Sequence, residues 1–341
     1  MRRKLAILLS LAMILTLLVA CADPAPAPAP AAAPAAAAPT AFEGEIAFVA
    51  YYTGIPFWND GLDGMEAAAA HLGINFCRTR NFHGPLDGSP AEQSRIIDEL
   101  VAGGIRGLVV YAACGYGVTA ALNRAMAAGV PVVLEMFGVD DDNAFLGVLG
   151  GSAQGIGATG GAFLAEQLGG VGQVGILTIP AVPSVWERAM GYVDYLSQFP
   201  GIEIIEPMVN TDAGPDIALE RTIALIQANP GIRALVGTDS VGGAAAARAV
   251  LETGRDDIII VGMDRDADLL GYIQDGVVAA TVATKCFSTK WLAVHYIYWI
   301  LNDLIRDVPD WRAANIDPMP RYTDTGSMLI TQNNVHFFIG N

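Results

Sequence analysis

From Gly44 onward, short apolar runs alternate with stretches whose apolar positions recur at helical spacing. The runs "EIAFVAY", "INFCRTR", "IRGLVVYA", "VPVVLEM", "AFLGVLG", "GQVGILTI", "IEIIEPMV", "IRALVGTD", "IIIVGMD", "VVAATVAT" and "SMLITQNN" read as strands. Most are unbroken, the pattern of strands covered on both faces in a parallel sheet. Between them, "AEQSRIIDELVAGG", "GVTAALNRAMAAG", "SVWERAMGYVDYLSQF" and "ALERTIALIQANP" read as helices. Repeated strand–helix units predict an α/β fold with doubly wound parallel sheets. Eleven strands are many for one sheet, and the pattern restarts near Gln173, so two such lobes are expected.

The first unit shows where chemistry could sit. In "YYTGIPFWNDGLDGMEAAAAHLG", Pro56 occupies a first helical position, where its missing N–H is harmless. Trp58, Leu62, Met65, Ala69 and Leu72 form the stripe predicted to be buried, so Trp58 has a packing reading beside a ligand-binding one. Phe57 falls on another face, with Gly61, Gly64 and Ala68. Ligands of open parallel sheets bind beyond the carboxyl ends of the strands. That rule places Phe57, Tyr111, Glu135, Asp239 and Asp264 around a crevice between lobes. Aromatic rings there stack on C–H faces and carboxylates accept from hydroxyls, which is what a sugar presents. Asp239 also stands where it could cap the helix of "SVGGAAAARAV". Arg188 could instead pair with Glu187 or Asp194 on a helix surface.

The first forty residues differ in kind. "MRRK" is a basic start, "LAILLSLAMILTLLVA" an apolar stretch too short for the roughly 20 residues of a membrane span, and Cys21 follows. "LVAC" resembles a bacterial lipobox, which implies a signal peptide over 1–20 and a lipid on Cys21. The segment "ADPAPAPAPAAAPAAAAPT" favours polyproline II, so 21–43 reads as a lipid-anchored linker.

Composition narrows the partners. A net charge of −16 repels phosphates, so no nucleic acid is expected. Apart from Cys21 there are Cys77, Cys114 and Cys286, an odd set without metal or redox spacing; buried thiols with at most one disulfide are expected. "GSAQGIGATGG" contains G-x-G-x-x-G, but no carboxylate ends the following strand, as a dinucleotide site requires. Close packing of small residues explains it better. No cofactor, metal triad, nucleophile elbow or catalytic carboxylate pair is evident, and no enzyme is expected.

The order and spacing of "GIPFW", "IRGLVVYA", "AAGVPVVLEM", "VWERAMGY", "ANPGIRALVGTD", "IIIVGMD", "IQDGVVAATVAT" and "TGSMLITQNNV" resemble the periplasmic sugar-binding proteins of ABC transporters. The likeness is to the ribose-binding-like branch, the periplasmic binding protein type 1 fold. It implies two lobes joined by a three-strand hinge and closing on one small ligand: 44–151 plus 285–321, and 152–284 plus 322–341. It further implies that Phe57 and Trp58 flank a sugar ring, that Arg188 and Asp239 bind hydroxyls, and that Asp264 grips two adjacent ones. Departures from the ribose pattern are Ile55 for asparagine, Glu135-Met136 for an Asp-Arg pair, Ala213 for an aromatic and Thr284 for glutamine. Tyr52, Tyr111 and Trp186 could compensate with a more aromatic pocket, for a deoxy-sugar, a polyol or an autoinducer-2-like furanosyl signal.

The function expected is an extracytoplasmic solute-binding lipoprotein of an ABC importer. It would stand in the periplasm or at the cell surface and deliver a sugar-like ligand to the permease. The alternative is a sensory receptor of the same fold feeding chemotaxis or a histidine kinase. A LacI-type regulator would need a basic helix-turn-helix where this chain has its leader and linker.

Overall fold

The computed structural model describes residues 44–54, 56–112, 117–305, 308, 310–314 and 316–339. The leader, Cys21, the linker, Ile55 and Cys114 lie outside the described residues. The first lobe opens with β1 (Ile46–Val49), a 3-10 turn (Pro56–Trp58) and α1 (Asn59–Leu72). It continues through α2 (Arg78–Asn81), β2 (Phe82–His83), α3 (Pro90–Ala102), β3 (Gly107–Val110), α4 (Thr119–Ala127), β4 (Val132–Glu135) and β5 (Gly147–Gly150). The second lobe begins with α5 (Ala153–Leu168), β6 (Val171–Thr178), α6 (Pro183–Leu196), β7 (Gly201–Ile204), β8 (Val209–Asn210) and α7 (Pro215–Ala228). Then follow β9 (Ile232–Gly237), α8 (Gly242–Thr253), β10 (Ile259–Met263), α9 (Ala267–Gln274) and β11 (Ala280–Thr284). The chain returns to the first lobe with α10 (Cys286–Leu301), α11 (Trp311–Ala314) and β12 (Tyr322–Asp324), and ends with β13 (Ser327–Thr331) in the second.

The sheets run β12-β5-β4-β3-β1-β2 and β13-β11-β10-β9-β6-β7, with β8 also beside β6. All neighbours are parallel except β11 and β13. The chain therefore passes between sheets after β5, after β11 and after β12. Both faces of each sheet are covered, which explains the unbroken apolar runs. In the first, Phe48, Val109, Val133 and Leu149 pack with residues of α1 and α10, while Ala47, Val49, Leu108, Val110 and Leu134 pack with those of α3 and α4.

The structure departs from three local expectations. "INFCRTR" is not a strand: Arg78–Asn81 forms a helical turn and the short strand follows at Phe82. Its polar side chains find partners there, Arg78 on Asp63 and Glu66, Arg80 on Glu45, and Asn81 on Glu45. "IEIIEPMV" is split by Pro207, which has no N–H for a ladder. The short β12 carries no apolar run, so its pattern shows no strand; by pairing with β5 it also keeps Tyr322–Asp324 in the first sheet, past the boundary expected at 321.

The face of α1 that holds Gly61, Gly64 and Ala68 is buried, not open. It is the surface laid against α10: a Cβ on Gly64 would stand 2.2 Å from the carbonyl oxygen of Phe287. Similarly, the glycines of "GSAQGIGATGG" serve contact between α5 and α6. A Cβ on Gly157 would stand 2.1 Å from the carbonyl oxygen of Arg188. Such contacts fix α1, which follows the turn carrying Phe57, and α6, which carries Arg188, against their neighbours.

Gly64→Ala is expected to destabilise the protein by about 1–3 kcal/mol, the cost of overpacking a tight interface. Gly271→Ala, in α9 with no atom within 4 Å of the added methyl, should instead gain up to about 1 kcal/mol. Urea unfolding of the two variants checks the contrast.

Candidate functional site at the facing strand ends

The first lobe presents a panel of rings beyond β1, β3 and β4. Trp58 is buried at its centre, its indole N–H donating to the carbonyl of Tyr52 at 2.7 Å. Its ring meets Phe48 at 5.4 Å, Phe57 at 4.9 Å, Tyr51 at 5.9 Å and Tyr111 at 5.3 Å between centroids, all edge to face. Tyr111 also touches Tyr51 and Phe137. Phe57 sits at the exposed end of this panel. Trp58 thus anchors the wall, and the rings around it offer apolar surface. Nothing in the sequence pattern sets Tyr51 and Phe137 apart, although each lies within two residues of a predicted strand end.

Glu135 ends β4 beneath this wall and is 2% exposed. Its Oε1 accepts from Lys290 Nζ of α10 at 2.5 Å, whereas Oε2 is buried without a hydrogen-bond partner. The lysine is absent from the sequence-level candidates, though a lone charge inside the apolar "CFSTKWLAVHYIYWIL" is a visible signal.

The second lobe supplies polar groups. Arg188, buried on α6, donates from Nη1 to the carbonyl of Thr238 at 3.2 Å, and its Nε is buried without a partner. It forms no ion pair with Glu187 or Asp194. Asp239 caps α8: Oδ1 accepts from the N–H of Gly242 at 2.8 Å, and Oδ2 from Thr211 Oγ1 at 2.6 Å. Its helix-capping role is therefore real, leaving only spare lone pairs for anything else. Asp264 follows β10 in the left-handed region, φ 68°, pinned by its N–H to Val282 O at 3.0 Å and its carbonyl to Thr281 Oγ1 at 2.7 Å. Its carboxylate has no hydrogen-bond partner among the described residues. Burial pushes this carboxyl up; the Arg188 charge opposes the shift, and Asp266 and Asp239 add to it.

The two walls sense each other. Burial pushes the Tyr111 phenol up, Arg188 opposes, and the charges of Glu135, Tyr51 and Asp264 add. Groups of both lobes thus act on one first-lobe hydroxyl. At the rim, Arg265 Nη2 of the second lobe meets Asp60 Oδ2 of the first at 2.6 Å. Met136, at φ 69°, packs against the second lobe's core. Two predicted residues are placed less centrally. Trp186 is partly exposed and makes no ring contact among the described residues, and the Thr284 hydroxyl is taken up by Cys286 Sγ at 3.1 Å.

A groove of about 680 Å³ lies elsewhere, on the second lobe between α5, α6 and β13, lined by Phe163, Tyr195, Phe199 and Leu329. It is apolar and contains none of the partnerless buried polar atoms, whereas Glu135 Oε2 and Arg188 Nε belong to the two walls described above. Cys77 and Cys286 are free thiols, the second buried.

Comparison with known proteins agrees with this architecture. The sequence model of the periplasmic binding protein domain family matches residues 46–303. A D-apiose import binding protein of Paraburkholderia graminis is 24% identical over 233 residues, 67% of this chain and 71% of that protein. A sugar-binding protein of a sugar ABC transporter from Bacillus halodurans superposes with a TM-score of 0.80 at 25% identity, over 86% of this chain and 99% of that one. AraP, an arabinose-binding protein from Geobacillus stearothermophilus, shares the fold with a TM-score of 0.78 at 22% identity, over 87% and 99% of the two chains.

Because burial raises the Asp264 carboxyl in the folded chain, its ionisation costs stability as pH rises through that raised value. Asp264→Asn should therefore raise the melting temperature of the ligand-free protein at pH 7. The gain should fade below about pH 4, where the carboxyl is protonated folded and unfolded. Calorimetric melts of both proteins across that range test the sign.

Proposed function

The chain belongs to the periplasmic binding protein domain family, and from that membership we propose that it is an extracytoplasmic receptor for a neutral sugar or polyol. The ligand lies between the facing strand ends, and the closed complex is presented to an ABC permease in the membrane. A lipid on Cys21 tethers the receptor, and the Ala/Pro-rich segment holds it off the surface. The observation that carries this reading is chemical. Arg188 Nε of the second lobe and Glu135 Oε2 of the first are buried without protein partners, and the charges of Arg188, Glu135 and Asp264 all act on the Tyr111 phenol of the aromatic wall.

A buried donor or acceptor left unpaired costs about 1–3 kcal/mol, so Arg188 Nε and Glu135 Oε2 are best accounted for by a guest that pairs them. The half-buried Asp264 carboxylate, which has no hydrogen-bond partner among the described residues, is open to the same guest. A carboxylate accepts from two adjacent hydroxyls and an arginine donates to a ring or hydroxyl oxygen. The rings near Trp58 cover the sugar's C–H surface. Phe57, Tyr111, Arg188 and Asp264 are the principal contacts; Glu135 contributes through its free oxygen. Trp58 acts chiefly as the anchor of the panel, while Asp239, Trp186 and Thr284 border the site. Since the contacts come from both lobes, binding favours the closed arrangement over the open one. The three passages between sheets serve as the hinge. The similarity to binding proteins named for sugar import supports the choice of ligand class.

A thermal-shift screen of pentoses, hexoses, deoxy-sugars and polyols should find compounds that raise the melting temperature, as any ligand of the folded state does. For the best of them, Asp264→Ala should raise Kd at least about a hundredfold while the protein stays folded, the loss of two hydrogen bonds to a charged group. Unchanged affinity in that variant would remove Asp264 from the site. A screen in which no sugar or polyol shifts the melt would overturn the ligand class.

A further inference from the structure

We propose that Lys290 is a positioning residue that presents Glu135 to the crevice as a pure hydrogen-bond acceptor, so that the first lobe selects a ligand hydroxyl able to donate. The inference rests on the sugar-receptor reading and adds a residue and a polarity to it. Lys290 stands in α10, the helix that follows the second passage between sheets, and its side chain is fully buried. Its ammonium meets Glu135 Oε1 at 2.5 Å and lies over the rings of Phe48 at 4.7 Å and Trp58 at 5.4 Å.

The fold makes room for this side chain. A Cβ on Gly61 would stand 2.3 Å from Lys290 Cδ and 2.4 Å from Nζ, so α1 is bare where the lysine crosses it. A buried ion pair is seldom retained for stability, because an apolar pair of similar volume does as well or better. What distinguishes this pair is its asymmetry. Oε1 is fixed by the ammonium, Oε2 has no partner, and both atoms belong to the residue that ends β4 beneath the aromatic wall. The cation is buried between the rings of Phe48 and Trp58, and the carboxylate is left with one unpaired acceptor, Oε2. The ammonium also prevents the carboxylate from swinging, since its rotation would strand a buried charge. A ligand meeting Glu135 must donate a hydroxyl proton there, while Arg188 opposite supplies a donor and no acceptor. Neutral polyols satisfy both; a sugar acid would set its own carboxylate against Glu135 and Asp264.

The test uses titration calorimetry of the full chain with D-apiose, D-ribose, D-allose and D-arabinose, then with monodeoxy forms of the tightest. Wild type should lose tenfold or more in affinity on removal of the hydroxyl that Glu135 reads. Glu135→Leu with Lys290→Met, an apolar pair of similar volume, should fold with a melting temperature at least that of wild type. It should bind the parent sugar tenfold or more weakly and lose its preference at that one hydroxyl to within twofold. Preferences at hydroxyls read by the second lobe should persist. Lys290→Met alone should flatten the same single preference although Glu135 is present. Should that variant not fold, Glu135→Gln, which keeps the lysine, should weaken the parent sugar tenfold. A double variant with wild-type affinity and an unchanged deoxy profile would overturn the inference while leaving the receptor intact. If none of the four binds folded wild type, the profile is read on the best compound of the thermal-shift screen; if no sugar or polyol binds at all, the receptor reading fails and this inference falls with it.

Discussion

Charge withdrawn from water but not neutralised by the protein is the constraint around which this molecule is arranged. Arg188 and Asp264 lie close enough for the arginine to oppose the carboxyl's rise, yet they form no ion pair among the described residues. Each is instead held by backbone: the guanidinium by the carbonyl of Thr238, the aspartate by a left-handed turn tied to β11. Had they collapsed onto each other, both would be satisfied and nothing would be left to recognise. Keeping them apart costs stability in the empty protein, a common trade at binding sites.

The remainder of the fold serves that separation. Parallel sheets bring their strand ends to one side, and three passages of the chain link two such sheets. Helix α10 sits where these demands meet. It follows the second passage, its backbone touches α1 beside the aromatic panel, and its lysine reaches Glu135 at the end of β4. A movement of the lobes transmitted through the β11–α10 connection would therefore reach ring panel and carboxylate together. The Arg265–Asp60 pair at the rim adds a direct link between a residue beside Asp264 and one beside Trp58. Being partly exposed, it contributes modestly to stability and more to the register of one lobe on the other.

Much of this was legible in the sequence because it is local. Unbroken apolar runs and helical periodicity identify the doubly wound lobes, and the strand-end rule picks out Tyr111, Glu135 and Asp264. What escaped was non-local. Glu135 and Lys290 are 155 positions apart, and nothing in either neighbourhood names the other. The glycine face of α1 reads as open until α10 is laid on it, because an absent side chain signals close approach only when the partner is known. The strand at Tyr322 is too short and polar to show a pattern, and "INFCRTR" misleads because its arginines are drawn to acids on α1 and before β1. Asp239 illustrates a residue with two readings at one position, where only the hydrogen bonds of the folded chain show that capping is satisfied.

The most direct test of the account is a crystal structure of the protein with the sugar that stabilises it most. The prediction is density for one sugar between the Tyr111 ring and the Arg188–Asp264 pair, with two hydroxyls on the Asp264 carboxylate and one on Glu135 Oε2. Density in the outer groove of Phe163, Tyr195 and Phe199, with the strand ends unoccupied, would contradict it.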